Sequence, residues 1–273
     1  MPTFGYVAES GARDGERLSL MVMDSTRRFS DRVADYVRFR PGYPAALLEW
    51  LRAAHGLSAA WTVADVGAGT GIAARLFLEA GHQVVAVEPN AAMRGAAVAA
   101  LGKNPRFRAV AATAEATSLL GASVDLVLAA QAFHWFEPDE VRREWARILR
   151  PGGLALVVWN SRLTAGTRFL EGYEQLLRTH ATDYAVVAER YAGEESMRRF
   201  FGAGFREARR FENRQILDLE GLQGRLLSSS YAPRSGQAGH AKMLEALVRL
   251  FESTAVGGHV TLEYQTEAYL GTL

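Results

Sequence analysis

The sequence predicts an α/β fold: a doubly wound, mostly parallel sheet with helices on both faces, followed by a helical cap. Three observations predict it. Short apolar runs alternate with helical patterns five times between Trp61 and Trp159. Those runs are apolar on both faces, as strands buried on two sides are. Their connections are short and marked by glycine or proline, which suits strand–helix–strand units in one sheet.

The elements follow in order. Residues 1–23 are weakly patterned and read as an N-terminal arm. Asp24 or Ser25 caps a helix through about Phe39, and Arg40-Pro41 ends it, because a residue before proline avoids the helical region. A second helix is expected from Pro44 to His55. Trp61–Val66 reads as a strand broken by Gly67, Ile72–Ala80 as a helix and Gln83–Val87 as the next strand. Ala91–Leu101 is helical, Phe107–Ala111 and Val124–Ala130 are strands, and Asp139–Leu149 is an amphipathic helix. Pro151-Gly152-Gly153 turns into a fifth strand, Leu154–Trp159. Beyond it, Arg168–His180, Glu194–Phe201, Leu219–Ser229 and Ala241–Ser253 are expected helices, and Phe211–Ile216 and Val260–Tyr269 expected strands. These helices exceed what a sheet needs. They are expected to cover the carboxyl ends of the parallel strands, where open sheets bind ligands.

Composition removes several function classes. The 273 residues suit one elaborated domain. With 31 basic and 30 acidic residues the net charge is +1, so bulk charge gives no reason to expect nucleic acid. The absence of cysteine excludes disulfides, thiolate zinc sites and cysteine nucleophiles. The opening residues lack the apolar core of a signal peptide, and no run of about 18 apolar residues predicts a membrane span. A cytoplasmic protein without a membrane partner, a monomer or homodimer, is the expectation. No carboxylate–histidine cluster has metal-ligand spacing, so no metal is expected.

The segment Val63-Ala64-Asp65-Val66-Gly67-Ala68-Gly69-Thr70-Gly71 is the most informative. Glycines allow a tight turn and close approach of a ligand, and the following helix offers free amides. A dinucleotide fingerprint needs a third glycine at the sixth position, which is Ile72 here. A phosphate loop fails too, since no Gly-Lys-Ser/Thr follows. A ligand with an amino acid end and a nucleoside end fits better than a diphosphate. Glu88 ends the second strand, where a carboxylate takes both ribose hydroxyls; alternatively it caps the helix that starts near Asn90.

At this point the chain resembles the class I S-adenosylmethionine-dependent methyltransferases. It is most similar to the small-molecule branch of ubiquinone/menaquinone-biosynthesis-like and trans-aconitate-like enzymes. The resemblance runs from about Phe29 to Trp159 and rests on VADVGAGTG, VVAVEPNAAM, ATAEAT, DLVLAAQAFHWF and RILRPGG. It implies a seven-stranded Rossmann-like sheet, with an S-adenosylmethionine-binding core over 24–160. Residues 161–273 then carry cap insertions plus the last two strands, integrated in one domain. It implies that Asp65, Gly67 and Gly69 line the methionine end of the cofactor, that Ala68 and Gly71 of the same loop bind the cofactor, and that Gln131 faces the methionine portion. By the same resemblance Glu88 binds the ribose, Pro89, Asn90 and Met93 lie near ribose and adenine, and Ala114 and Glu115 clasp the adenine. Met93 also suits a core position and Glu115 a solvated loop. The front helix, with Tyr36 and Arg40, is similar to the segment that closes over the cofactor. Arg40 suits the cofactor carboxylate, an anionic substrate, or a brace between helix and sheet.

The acceptor side is harder to read. Gln131-Ala132-Phe133-His134-Trp135-Phe136 follows the fourth strand, near where a methyl group would point. His134 suits proton removal from a hydroxyl acceptor, or packing beside Trp135. Methyl transfer to a carboxylate needs little base help and relies on alignment and desolvation. Tyr43, Phe133, Trp135, Trp159 and Tyr231 are candidate walls of the acceptor chamber, with Arg225 and His240 as weaker candidates. The reading is methyl transfer to a small-molecule oxygen, carboxylate or hydroxyl. Carbon or nitrogen acceptors, a silent cofactor-binding protein and a nicotinamide oxidoreductase are the alternatives.

Overall fold

In the computed structural model, which describes residues 33–182, 184 and 193–273, seven strands form one sheet in the order β3-β2-β1-β4-β5-β7-β6. The strands are β1 (Thr62–Val66), β2 (Gln83–Val87), β3 (Phe107–Val110), β4 (Val124–Ala130), β5 (Leu149–Arg162), β6 (Phe205–Leu217) and β7 (Val260–Gly271). The first five are parallel, and β7 runs antiparallel between β5 and β6. The helices are α1 (Val33–Phe39), α2 (Ala45–His55), α3 (Ile72–Glu79), α4 (Ala91–Leu101), α5 (Pro138–Ile148), α6 (Arg168–His180), α7 (Glu194–Phe201), α8 (Leu219–Leu227) and α9 (His240–Thr254). The expected arm, 1–23, and the start of the front helix lie outside the described residues.

Period-two alternation divides the sheet between two cores. Val63, Leu126, Leu128, Leu154, Leu156 and Val158 pack with α2 and α3 on one face. Ala64, Val127, Ala129, Ala155, Val157 and Trp159 pack on the other with Trp145 of α5 and Phe200 of α7. Glu194–Phe201, expected in the cap, therefore belongs to a sheet face. Arg142 of α5 holds it there, its Nε donating to the Phe200 carbonyl at 2.9 Å.

The strands near the end of the chain are longer than their apolar runs. β6 starts at Phe205 rather than Phe211, and β5 continues through Asn160-Ser161-Arg162. Sheet pairing sustains these polar stretches: Asn160, Ser161 and Arg162 face Thr266, Gln265 and Tyr264 of β7. The extension carries β5, β6 and β7 past the carboxyl edge of the parallel strands. On it sits a third core, built from Phe169, Leu170 and Leu177 of α6, Leu222 and Leu226 of α8, Met243 and Leu247 of α9, and Leu262 and Tyr264 of β7. This is the cap.

The front segment is tied to the cap by polar contacts. Gln215 Nε2 donates to the Phe39 carbonyl at 3.0 Å, and Asn160 and Asn213 both donate to the Gly42 carbonyl at 3.0 and 2.9 Å. The Phe39 ring seats on Gly224, where an added Cβ would lie 2.1 Å from its Cε2 atom. Gly224→Ala is expected to push α1 off the cap. The overlap costs about 1–3 kcal/mol, more than the roughly 1 kcal/mol of helix propensity gained. Urea unfolding and protease cleavage near Phe39 check this; equal stability and equal cleavage would refute it.

Candidate active site

A cavity of about 470 Å³ lies between the carboxyl edge of the sheet and the cap. That size suits a small-molecule site. Its floor is the β1–α3 loop. Gly67, Gly69 and Gly71 all have positive φ (70°, 57° and 82°), and the Gly67 and Ala68 amides both donate to the Val87 carbonyl, at 2.9 and 3.2 Å. Gly67 is required by packing as well, since a Cβ there would stand 2.6 Å from Ala132 Cβ. A Cβ on Gly69 would face the cavity, 3.6 Å from Met93 Sδ.

Asp65, the fourth residue of β1, points its carboxyl into this floor. It is 1% exposed, and neither oxygen completes a hydrogen bond. Burial raises its pKa from the usual 3.8 to about 7; the Ala74 amide offsets part of the rise and the Glu88 charge adds to it.

Glu88, following β2, is also buried and is raised by desolvation, against the pull of the Asn90 and Gly69 amides and of Arg94. Its Oε2 accepts from the Gly69 amide and its Oε1 from the Asn90 amide, each at 2.8 Å. A carboxylate has about four acceptor sites, so each oxygen keeps capacity for one ligand hydroxyl. Capping α4 falls to Asn90, whose Oδ1 accepts from Ala92 and Met93.

Pro89, Met93, Ala114 and Glu115 continue the wall on this side, with Glu115 Oε1 accepting from the Glu137 amide at 3.2 Å. Gln131 stands at the end of β4 with φ 58°, an uncommon conformation for a non-glycine residue, and donates from Nε2 to the Asn160 carbonyl at 3.1 Å. The strain points its side chain across the gap between β4 and β5. His134 and Trp135 follow in a 3₁₀ turn, rings tilted at 44° with centroids 4.8 Å apart, and both line the cavity.

The roof comes from Tyr36, Arg40 and Tyr43 in the front segment and from Tyr184, Arg225, Ser230 and Tyr231 in the cap. Arg40 packs its guanidinium over Tyr36, 4.8 Å from the ring centre, and donates to the Ser228 carbonyl at 2.9 Å. It thus braces the front segment against the cap while lining the cavity.

Four expected site residues lie outside the cavity lining. Trp159 is 1% exposed and has the same strand parity as Ala155 and Val157, which turns it into the core beside Tyr269 and Phe133. Phe133 is itself buried among Trp145, Trp159 and Phe200, its 3₁₀ turn sending His134 and Trp135 to the cavity instead. Gly71 starts α3, and a Cβ there would meet Leu101 Cδ1 at 2.7 Å, so its space is filled by α4. His240 holds the Pro233 carbonyl at 2.9 Å, outside the cavity lining.

Beyond the expected residues, Ser161, Arg162, Thr164 and Tyr184 line the cavity, as does Asn160 at the end of the fifth strand's apolar run. Extending the alternation of β5 by one residue beyond Trp159 places Asn160 on the cavity side. Among the described residues no cluster of three or more His, Asp or Glu is arranged to hold a metal, and no helix is long and apolar enough to cross a membrane.

Residues 64–157 match the family model of a methyltransferase domain. An uncharacterized methyltransferase of Mycobacterium tuberculosis is 44% identical over 139 residues, which is 51% of this chain and 54% of that protein. The chain thus spans about half the length of the curated relatives it matches. A solved structure from Anaeromyxobacter dehalogenans, assigned as a type II methyltransferase, is 27% identical and superposes with a TM-score of 0.63, covering 86% of this chain and 98% of its own. The chain has the class I methyltransferase fold. The phosphoethanolamine N-methyltransferase 2 of Haemonchus contortus, solved with S-adenosyl-L-methionine, shares that fold at 16% identity and a TM-score of 0.54, over 92% of this chain and 59% of its own. In this methyltransferase fold the matched segment holds Asp65, Glu88, Gln131 and His134, but neither the front segment nor the cap.

Asp65 gives a stability signature with a definite sign. Its folded pKa of about 7 exceeds the unfolded value near 3.8, so the folded protein binds the extra proton between them. Stability from this residue is greatest below the unfolded value and declines as pH rises to the folded one. Asp65→Asn is expected to abolish that decline. Urea unfolding at pH 5 and pH 8 checks it: the variant gains on the wild type at pH 8, and parallel behaviour of the two proteins would contradict the burial argument.

Proposed function

We propose that this protein is an S-adenosylmethionine-dependent methyltransferase of the small-molecule branch, transferring a methyl group to an oxygen of its acceptor. The observation that carries the reading is Asp65: a fully buried carboxyl with two unpartnered oxygens, set against a glycine loop at the sheet's carboxyl edge. Such a group is costly unless a cation meets it, and the ammonium of S-adenosylmethionine supplies one. Glu88, with one acceptor position left on each oxygen, suits a ribose diol. Met93 and Glu115 flank the space beyond it, where the base would lie.

S-adenosylmethionine, when bound, supplies a methyl group on a positively charged sulfur. The chain's own residues do the rest. Gly67 and Gly69 let the backbone approach, and Gln131 fixes the position of the methionine end between β4 and β5. The front segment and cap exclude water, which strengthens the electrostatic interactions inside. His134, on the cavity wall, would take and hold the proton of a hydroxyl acceptor. An acceptor already ionised needs no such step. The enclosure by Tyr43, Trp135, Tyr184 and Tyr231 favours a small molecule over a flat macromolecular surface.

Isothermal titration with S-adenosylhomocysteine tests the donor assignment. Glu88→Ala is expected to weaken binding by about tenfold or more, the value of hydrogen bonds to a charged acceptor. Wild-type affinity is expected to fall about tenfold from pH 8 to pH 6, since the ligand ammonium needs Asp65 ionised and its pKa is about 7. Tight NAD binding with none for S-adenosylhomocysteine would sink the proposal. For His134→Ala, kcat with a hydroxyl acceptor should drop while KM holds, and the rate should recover at high pH. An unchanged pH–rate profile would assign His134 to packing beside Trp135.

A further inference from the structure

The cap side of the cavity carries a second buried charge, of opposite sign to Asp65. Arg225, in the last turn of α8, is 6% exposed and lines the cavity. Its Nε donates to Tyr264 Oη at 3.1 Å and its Nη1 to Ser229 Oγ at 3.0 Å. Both partners are neutral. Among the described residues no carboxylate lies within ion-pair distance of it. A guanidinium has five N–H donors, and two are used here.

The surroundings do not supply the missing charge. Arg162, on the same cavity wall, pairs with Glu174, and Glu174 is shared with Arg178 on its other oxygen at 2.7 Å. That acid is therefore already outnumbered. Tyr184 also donates to Glu174, at 2.6 Å. The Tyr173 hydroxyl, deep in the cap and completely buried, has no partner, and Tyr173 carries the Arg162 guanidinium 5.1 Å from its ring centre. The cavity's acids, Asp65, Glu88 and Glu115, are all on the opposite side, on or after β1, β2 and β3.

A buried cation is stable where an anion completes it. We infer that the acceptor is a small aromatic carboxylic acid whose carboxylate pairs with Arg225, its ring lying among Tyr184, Tyr231 and Trp135. The inference rests on the methyl-donor reading above and narrows its substrate class. A guanidinium matches a carboxylate with two parallel hydrogen bonds, which a neutral acceptor cannot form. Desolvation inside the cap makes the pair stronger than on a surface.

The test is isothermal titration of the full chain, saturated with S-adenosylhomocysteine, with matched acids and amides: salicylate against salicylamide, and 4-hydroxybenzoate against 4-hydroxybenzamide. The wild type is expected to bind an acid at least about tenfold more tightly than its amide, the value of charge-assisted hydrogen bonds. Arg225→Gln should erase that preference while S-adenosylhomocysteine affinity stays within about twofold. Arg225→Lys should keep part of it, and serves if the glutamine variant does not fold. Absence of any acid preference in the wild type overturns the inference, as does a preference that survives Arg225→Gln. Loss of S-adenosylhomocysteine binding on Arg225→Gln also overturns it, by placing Arg225 at the donor. Failure of the wild type to bind S-adenosylhomocysteine at all would instead remove the methyl-donor reading.

Discussion

Burying the Asp65 carboxyl at the end of β1 costs stability that the Ala74 amide returns only in part. Its neighbours on the strand are apolar and its two oxygens are without hydrogen bonds. A neutral residue there would pack with less cost. The position makes sense when the group that completes it comes from outside, and the surrounding loop is shaped to let that happen. Positive φ at Gly67 and Gly69 bends the chain away from the carboxyl, and two amides anchored on Val87 keep the bend in place. Glu88 then fixes the same loop from the next strand through the Gly69 amide. The two acids are thus mechanically linked: what holds Glu88 in place also holds the floor over Asp65.

The cap repeats this logic with the sign reversed. Arg225 lies in a shell of tyrosine and serine hydroxyls, and Glu174 of the cap is committed to two other arginines. The cavity is therefore polarised, acids on the sheet side and arginines on the cap side. The polarisation depends on the length of β5, β6 and β7. If β5 ended at Trp159, as its apolar run does, Arg162 would lack its place on the wall and the third core would lack its base. Cross-strand pairing with Tyr264 to Thr266 carries the polar stretch that hydrophobic patterning alone would terminate.

The uneven legibility of the site follows from this. Asp65, Gly67, Gly69 and Glu88 were readable because their geometry is local: a strand end, a turn and a helix start, adjacent in sequence. The order of elements from Trp61 to Trp159 was readable for the same reason, since each apolar run fills both faces of a buried strand. Trp159 and Phe133 face the core because strand parity and turn geometry, not residue type, set their direction. An aromatic at a strand end suits a chamber wall, but an odd position beside Ala155 and Val157 faces the core. Gly71 shares the spacing of its neighbours, but its requirement is steric, against Leu101 of α4. Arg225 is hard to read from sequence because its environment is assembled from residues as far apart as Ser229 and Tyr264, and no local pattern reports that a cation is buried without an acid.

The division between donor and acceptor sides has a consequence for what similarity to other proteins can transmit. The segment matching the methyltransferase model, 64–157, contains Asp65, Glu88, Met93, Glu115 and Gln131 on the sheet side of the cavity. It contains none of Arg162, Tyr184, Arg225 or Tyr231. A site built on a contiguous strand–turn–helix unit tolerates little change, because the turn itself depends on glycines with positive φ. Recognition of the acceptor through side chains on a cap that rests on three extended strands tolerates a great deal, since a substitution there alters one wall and leaves the sheet intact. Proteins that share the first half can therefore differ in acceptor without differing in fold. In this chain Arg225 is the buried charge on the cap side of the cavity, on a different element from Asp65 and Glu88.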